Sequence, residues 1–259
     1  MSLSARSSRA FEVPPVSEIR PTSEVPCLLV CEHASAYIPA VYDGLGLSAD
    51  QIQTHIGWDP GAFELAQGVS QHLGCSLVAS NYSRLLIDCN RPTEVASCIV
   101  AQSEHIVIPG NQQVSDQERM RRINSIHCPF HKAVLGHVER LKRVQSLFPV
   151  IGIHSFTPVF LGQARPWEFS VMFTQESPFV SALRRAVEQH PTQIAVGYNE
   201  PYCARSIRAH TTEYCSDDHG LPAVIFEVRQ DLLQGSAQRH TWQQFIASLI
   251  RSAWAEARR

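Results

Sequence analysis

Three apolar runs in this chain each lead into a residue that can hold a metal or move a proton. Residues 25–31 run into Glu32 and His33, residues 149–153 into His154, and residues 223–226 into Glu227. Short apolar runs of this kind read as buried strands. The carboxyl end of a strand in an open α/β sheet is the usual place for a ligand. Metal-assisted hydrolysis needs about three protein ligands with one position left open, and a carboxylate that takes a proton from water. His33 and His154 supply two nitrogens. Asp59 is preferred as the acidic ligand and Glu32 is the alternative. Glu32 adjoins His33, so in an extended backbone it points to the opposite side. Asp59 has a second use, as the N-cap of a helix with Pro60 in its first position. Glu227 suits the general base.

A second dense polar stretch covers residues 82–92. Asn90 and Arg91 place an amide beside a guanidinium fork, which binds a carboxylate through two parallel bonds. Arg84 and Arg229 are further basic residues facing a substrate or a developing negative charge. Each also has an acid close in sequence, Asp88 and Asp231, with which it can form an ion pair instead. His131 is expected as a substrate contact or as support for the site. His55, His127, His210 and His219 read as packing or surface residues.

The elements that must position these groups alternate between strand and helix. After Pro60 the residues Phe63, Leu65, Ala66, Val69 and Leu73 share one helical face, and Gly74 ends the helix. A strand follows over 75–79. Residues 93–117 lack periodicity and read as one long irregular loop, the kind that is often functional in a compact domain. A helix is expected over 115–146, broken near Cys128 and Pro129. Further strands fall at 167–173 and 194–197, a helix at 178–190, a short helix near 211–220, and a terminal helix at 232–257. The pattern describes an α/β chain with a mixed sheet. Residues 1–24 are rich in Ser, Pro, Arg and Glu and read as a flexible arm. Residues 25–259 form the single domain.

Bulk properties narrow the function classes. With 22 basic and 24 acidic residues among 259, and a net charge of −2, the chain lacks the basic surface of a nucleic-acid binder. No run is long and apolar enough to span a bilayer, and the first twenty residues show no secretory h-region. No cysteine pair has metal-knuckle spacing. The expectation is a cytoplasmic protein with reduced cysteines. No feature of the sequence bears on oligomeric state.

Taken together, these stretches resemble the N-formylglutamate amidohydrolase family. The resemblance rests on residues 31–39, 58–62, 83–92, 153–156, 197–202 and 226–232, in the family's order. The match over Ser83-Arg84-Leu85-Leu86-Ile87-Asp88-Cys89-Asn90-Arg91-Pro92 is the most specific. The family is similar in fold to zinc carboxypeptidases and aspartoacylases, which implies a zinc-carboxypeptidase-like, phosphorylase/hydrolase-like mixed sheet flanked by helices. It implies Zn2+ held by His33 and His154, Glu227 as the base that activates water, and Asn90 and Arg91 on a small substrate's carboxylate. The relatives usually carry a His-x-x-Glu ligand pair, but here the third residue after His33 is Ala36. Asp59 is the acid the family shares. The implied reaction is hydrolysis of N-formyl-L-glutamate or a related N-acyl amino acid, with Arg84 beside the developing oxyanion. The alternative is a protein of the same fold that binds an acyl amino acid without cleaving it.

Overall fold

A computed structural model describes residues 11–22 and 26–259. The apolar runs form the middle of one seven-stranded mixed sheet. Numbered in chain order, its strands are β1 (Val16–Ile19), β2 (Leu28–Cys31), β3 (Ser76–Ser80), β6 (Val150–Phe156), β9 (Phe169–Met172), β10 (Val196–Tyr198) and β11 (Ala223–Arg229). Their spatial order is β1-β3-β2-β6-β11-β9-β10. The four central strands β3, β2, β6 and β11 run parallel. Parallel strands covered on both faces carry continuous apolar sequence rather than alternation. Accordingly β2, β3 and β6 are buried along their whole length. β1 and β9 join antiparallel to β3 and β11.

Helices flank the sheet: α1 (Ala49–Ile52), α2 (Ala62–Leu73), α3 (Asp116–Arg122), α4 (Cys128–Lys142), α5 (Pro178–Glu188), α6 (His210–Asp217) and α7 (Ser236–Ala257). α2, α5 and α7 pack together as one layer, whereas α4 lies on β1, β2 and β3, and α6 lies on β6 and β11. From β2 the chain passes through α2 to β3 on one side, while β6 lies on the other side of β2. That reversal opens a crevice at the carboxyl ends of β2 and β6, where open α/β sheets bind ligands.

Several details differ from the sequence reading. Residues 1–10 and 23–25 lie outside the described residues, but the rest of the expected flexible arm is ordered. Val16–Ile19 adds an edge strand whose backbone pairs with β3, and the Tyr82 hydroxyl donates to the Val13 carbonyl at 2.6 Å. Polar composition hid this because an edge strand tolerates polar side chains such as Ser17, which donates to Asn81 Oδ1, and Glu18, which pairs with His137. β6 and β11 do not stop before their functional residues, so His154 and Glu227 lie within the strands.

The long loop of 93–117 contains a small hairpin, β4 (Gln102–Ser103) with β5 (Ile106–Val107). It is anchored by buried Asn111, whose amide donates to the carbonyls of Leu85 and Val100 and whose oxygen accepts from Arg122. The helix break falls at a π-type turn, Ile123–His127, rather than at Pro129. Pro129 is tolerated because it sits in the first turn of α4. A second small hairpin, β7 (Val159–Phe160) with β8 (Gln163–Ala164), follows β6. Among the described residues, no helix is long and apolar enough to cross a membrane.

α2 begins at Ala62, later than expected, and Gly61 rather than Asp59 is its N-cap. Gly61 has a φ of 80°, and a Cβ there would lie 2.7 Å from Leu233 Cβ. Both the left-handed backbone and the close approach call for glycine. We expect Gly61→Ala to lower unfolding free energy by about 1–3 kcal/mol, read from urea denaturation. A change below ~0.5 kcal/mol would show that neither constraint operates.

Candidate active site

The Asp59 carboxylate caps nothing. Its backbone N–H donates to the carbonyl of His33 at 3.0 Å, which fixes the turn beside the end of β2. This leaves the carboxylate facing two imidazoles. Asp59 Oδ2 lies 2.7 Å from His154 Nδ1 and 3.3 Å from His33 Nδ1. The two rings meet edge to face with centroids 4.8 Å apart. All three residues are buried, and their donor atoms lie within 4.8 Å of one another.

The far side of each imidazole explains how it is oriented. His33 Nε2 lies 2.8 Å from Asp88 Oδ1, and His154 Nε2 lies 3.1 Å from Glu32 Oε2. A ligating histidine characteristically donates its other N–H to a carboxylate, which fixes the tautomer and raises ligand basicity. With both Nε2 protons donated outward, the two Nδ1 atoms and Asp59 Oδ2 are three acceptors converging on one point. Three mutually facing acceptors in a buried place call for a cation. The two nitrogens and one oxygen therefore fit a divalent metal with room for a further ligand.

Glu32 stands outside this group of three donors. β2 ends at Cys31 and the chain turns at residues 32 and 33, where Glu32 reaches the far nitrogen of His154 on the adjacent strand. Burial alone would raise the carboxyl groups here. The hydrogen bond and charge of His154 outweigh it and hold Glu32 down at about 2. His33 and His154 hold Asp59 below the carboxylate range, and Arg84 with His33 does the same for Asp88. Burial lowers His154 less than its bonds to Asp59 and Glu32 raise it.

A cavity of about 210 Å³ opens over this centre, the scale of a small metabolite rather than a long peptide. His33, Asp59 and His154 line it, together with Glu227, Arg84, Asn90 and Arg91. Glu227 pairs in register with His154 across β6 and β11. It is 7 % exposed, and burial raises its pKa above the usual glutamate value. That is the direction a general base needs.

The arginines divide. Arg84 Nη2 donates to Asp88 Oδ2 at 2.7 Å, and Arg84 Nη1 lies 3.2 Å from His33 Nδ1 and 3.6 Å from Asp59 Oδ1. The Arg84–Asp88 pair expected as the alternative has formed, on the cavity wall. Arg91 forms no ion pair with an acid of the described residues. Its Nη1 donates to the Asn90 carbonyl at 2.8 Å. Asn90 Oδ1 is buried without a hydrogen-bond partner, and such an orphan calls for one.

Two expected substrate contacts do not line the cavity. Arg229 is engaged by Asp231 through two bonds, 2.8 and 3.2 Å long. It sits where β11 leaves the sheet, and the acid two residues on captures it. His131 lines a separate groove on α4, because the first turn of that helix faces the back of the 89–91 segment. Sequence reasoning missed several cavity residues: His55 and Val100 from loops, Ser103 from β4, Phe160 from β7, and Tyr202. Val100 and Ser103 make the 93–117 segment part of the wall. The density of aromatic and polar residues in 197–202 was the one available signal for Tyr202.

Comparisons with known proteins agree with this architecture. The family described as N-formylglutamate amidohydrolase matches residues 25–234. A solved gene product of Agrobacterium tumefaciens is 33% identical, with a TM-score of 0.92 over 97% of this chain and 100% of that one. An N-formylglutamate amidohydrolase from Ralstonia eutropha JMP134 is 18% identical, with a TM-score of 0.73 over 95% of this chain and 99% of that one, and shows the same fold. No curated protein matches.

The outward carboxylates have a measurable role. Asp88→Asn and Glu32→Gln keep the side-chain shape but weaken the grip on one imidazole each. Each is expected to reduce affinity for a divalent ion at His33, Asp59 and His154 by about 10–100-fold, measured by competition with a chromophoric chelator. Unaltered affinity in both variants would show that the carboxylates do not support the centre.

Proposed function

Because the chain belongs to the N-formylglutamate amidohydrolase family, we propose that it hydrolyses the amide bond of N-formyl-L-glutamate or a closely related N-acyl amino acid, with zinc held by His33, Asp59 and His154. The observation that carries this reading is a single cavity wall. On it a buried glutamate, a three-donor centre and an arginine free of acid partners meet. The donor set of two imidazoles and one carboxylate suits zinc.

Each residue then has a task. Arg91 holds the substrate carboxylate by its guanidinium, and the unpartnered Asn90 Oδ1 is placed to accept a neighbouring N–H of the substrate. This fixes the amide over Glu227 and excludes uncharged competitors. Zinc supplies Lewis acidity toward water and the amide carbonyl. Glu227 takes a proton from the attacking water as the new C–O bond forms. It returns that proton to the amide nitrogen as the C–N bond breaks. With N-formyl-L-glutamate and one water, the products are formate and glutamate. Arg84, held in place by Asp88, is assigned to stabilise the developing oxyanion. We also assign residues 25–259 as the hydrolase domain and the cytoplasm as its compartment. Cysteines that are all free, most of them buried, support that placement.

Formate release from N-formyl-L-glutamate tests the reaction directly. Glu227→Gln is expected to lower kcat about 100- to 10,000-fold while zinc content at the ligands stays unchanged. Full turnover in that variant would remove Glu227 from the mechanism. Binding of the substrate with no turnover in the zinc-loaded wild type would favour the non-catalytic alternative.

Arg91→Ala removes one charged hydrogen-bonding partner of the substrate. It is expected to lower kcat/KM by about 10–100-fold, with a much smaller loss for an analogue whose side-chain and α-carboxylates are both amidated. Equal losses for the two compounds would show that Arg91 does not read a carboxylate.

A further inference from the structure

Behind the wall that carries Asn90 and Arg91 lies a second histidine cluster that the amide chemistry does not use. His127 ends the π-type turn, His131 lies in the first turn of α4, and His210 opens α6. The ring centroids are 4.3 Å apart for His127 and His131, 4.7 Å for His131 and His210, and 5.7 Å for His127 and His210. One ligating nitrogen from each ring lies within 4.8 Å of the other two.

Two of the rings have a defined proton position. His127 Nε2 lies 2.9 Å from the Arg91 carbonyl, and His131 Nε2 lies 2.9 Å from the Cys89 carbonyl. A carbonyl only accepts, so each Nε2 carries the proton and each Nδ1 carries a lone pair. His131 Nδ1 has the Tyr214 hydroxyl 3.3 Å away, a long contact for an O–H donor and one that a stronger partner displaces. The His210 ring has no hydrogen-bond partner among the described residues. No carboxylate forms an ion pair with any of the three. Hydrogen bonds to carbonyls account for His127 and His131 one at a time. They do not account for a third imidazole, without a protein partner among the described residues, set against the other two.

We propose that His127, His131 and His210 form a second metal site, one that takes a divalent transition ion suited to imidazole ligands, such as zinc, nickel or cobalt. A shallow groove lined by these three residues with Cys128 and Glu139 opens beside them and gives water access to the remaining coordination positions. Burial lowers the pKa of all three, and neighbouring histidines lower those of His131 and His210 further. An N–H on a backbone carbonyl opposite the ligating nitrogen is the usual support for such a ligand.

The site has a consequence for its neighbour. The three histidines grip three successive carbonyls: His131 that of Cys89, the His210 backbone N–H that of Asn90, and His127 that of Arg91. An ion joining the rings fastens this segment from behind. It therefore acts as a structural clamp on the residues that face the substrate.

The test uses the full chain, stripped with a chelator and titrated with Co2+ while the visible spectrum and the bound metal are followed. In an Asp59→Ala background, where the centre at His33 and His154 is disabled, one equivalent is expected to remain. His210→Ala is expected to lose that equivalent, and it removes no hydrogen bond. His127→Gln, whose amide keeps a donor for the Arg91 carbonyl, provides a second variant and is expected to lose it too. Metal uptake that is the same with and without His210 and His127, in a folded protein, overturns the proposal. Because the readout is a histidine-dependent equivalent of metal, it does not depend on turnover or on the assignment of the first centre.

Discussion

The structure is organised around a charge imbalance that it buries. Glu32, Asp59 and Asp88 stand within the same few side chains, almost out of reach of water. Among them lies one guanidinium, Arg84, with ion-pair contacts to Asp59 and Asp88. Were His33 and His154 both neutral, as metal ligands are, three carboxylates against one arginine would leave two negative charges uncompensated. Burying an uncompensated charge costs several kcal/mol even after relaxation. A divalent cation held by His33, Asp59 and His154 would offset that cost where it arises. The same imbalance explains why the histidines face inward and why each has an acid behind it.

The sheet makes this arrangement possible. β2 and β6 are adjacent parallel strands at the point where the chain's winding reverses, so their carboxyl ends share a crevice. β11 lies on the other side of β6 and aligns Glu227 with His154 in register. Main-chain hydrogen bonds across β6 and β11 thus set the spacing between Glu227 and His154, so flexible loops do not. The Asp59 turn is tied to the same crevice by its bond to the His33 carbonyl and by Gly61, which lets the chain turn sharply against Leu233.

The segment 88–91 connects the two histidine clusters. Asp88 supports His33 from one side, and the carbonyls of residues 89–91 are gripped from the other. Asn90 and Arg91 lie between these two supports and face the cavity. A four-residue stretch with little regular structure is therefore held as firmly as a strand. This matters for a residue such as Arg91, because a fork that is already oriented loses less freedom on binding a carboxylate.

By itself, the sequence determined which segments are buried and which chemical groups are available. Continuous apolar runs specify covered parallel strands, and the residues that interrupt or follow them, His33, His154 and Glu227, could be picked out because polar groups at such places are costly without a purpose. Asn90, Arg91 and Asp59 were legible from their types and from the family's order. Partnership was not legible, because it depends on register and crossover. Glu32 meets His154 across a separation of 122 residues, and Asp88 meets His33 across 55. Arg84 and Arg91 look alike in sequence, yet one is held by acids and the other forms no ion pair among the described residues. Arg229 and His131 were drawn away from the cavity by an adjacent acid and by the face on which α4 packs. Residues 16–19 became a strand only because β3 offered an open edge. Local sequence sets what each side chain can do. The sheet topology alone sets which side chain it faces, and in a buried site that neighbour decides its charge and its role.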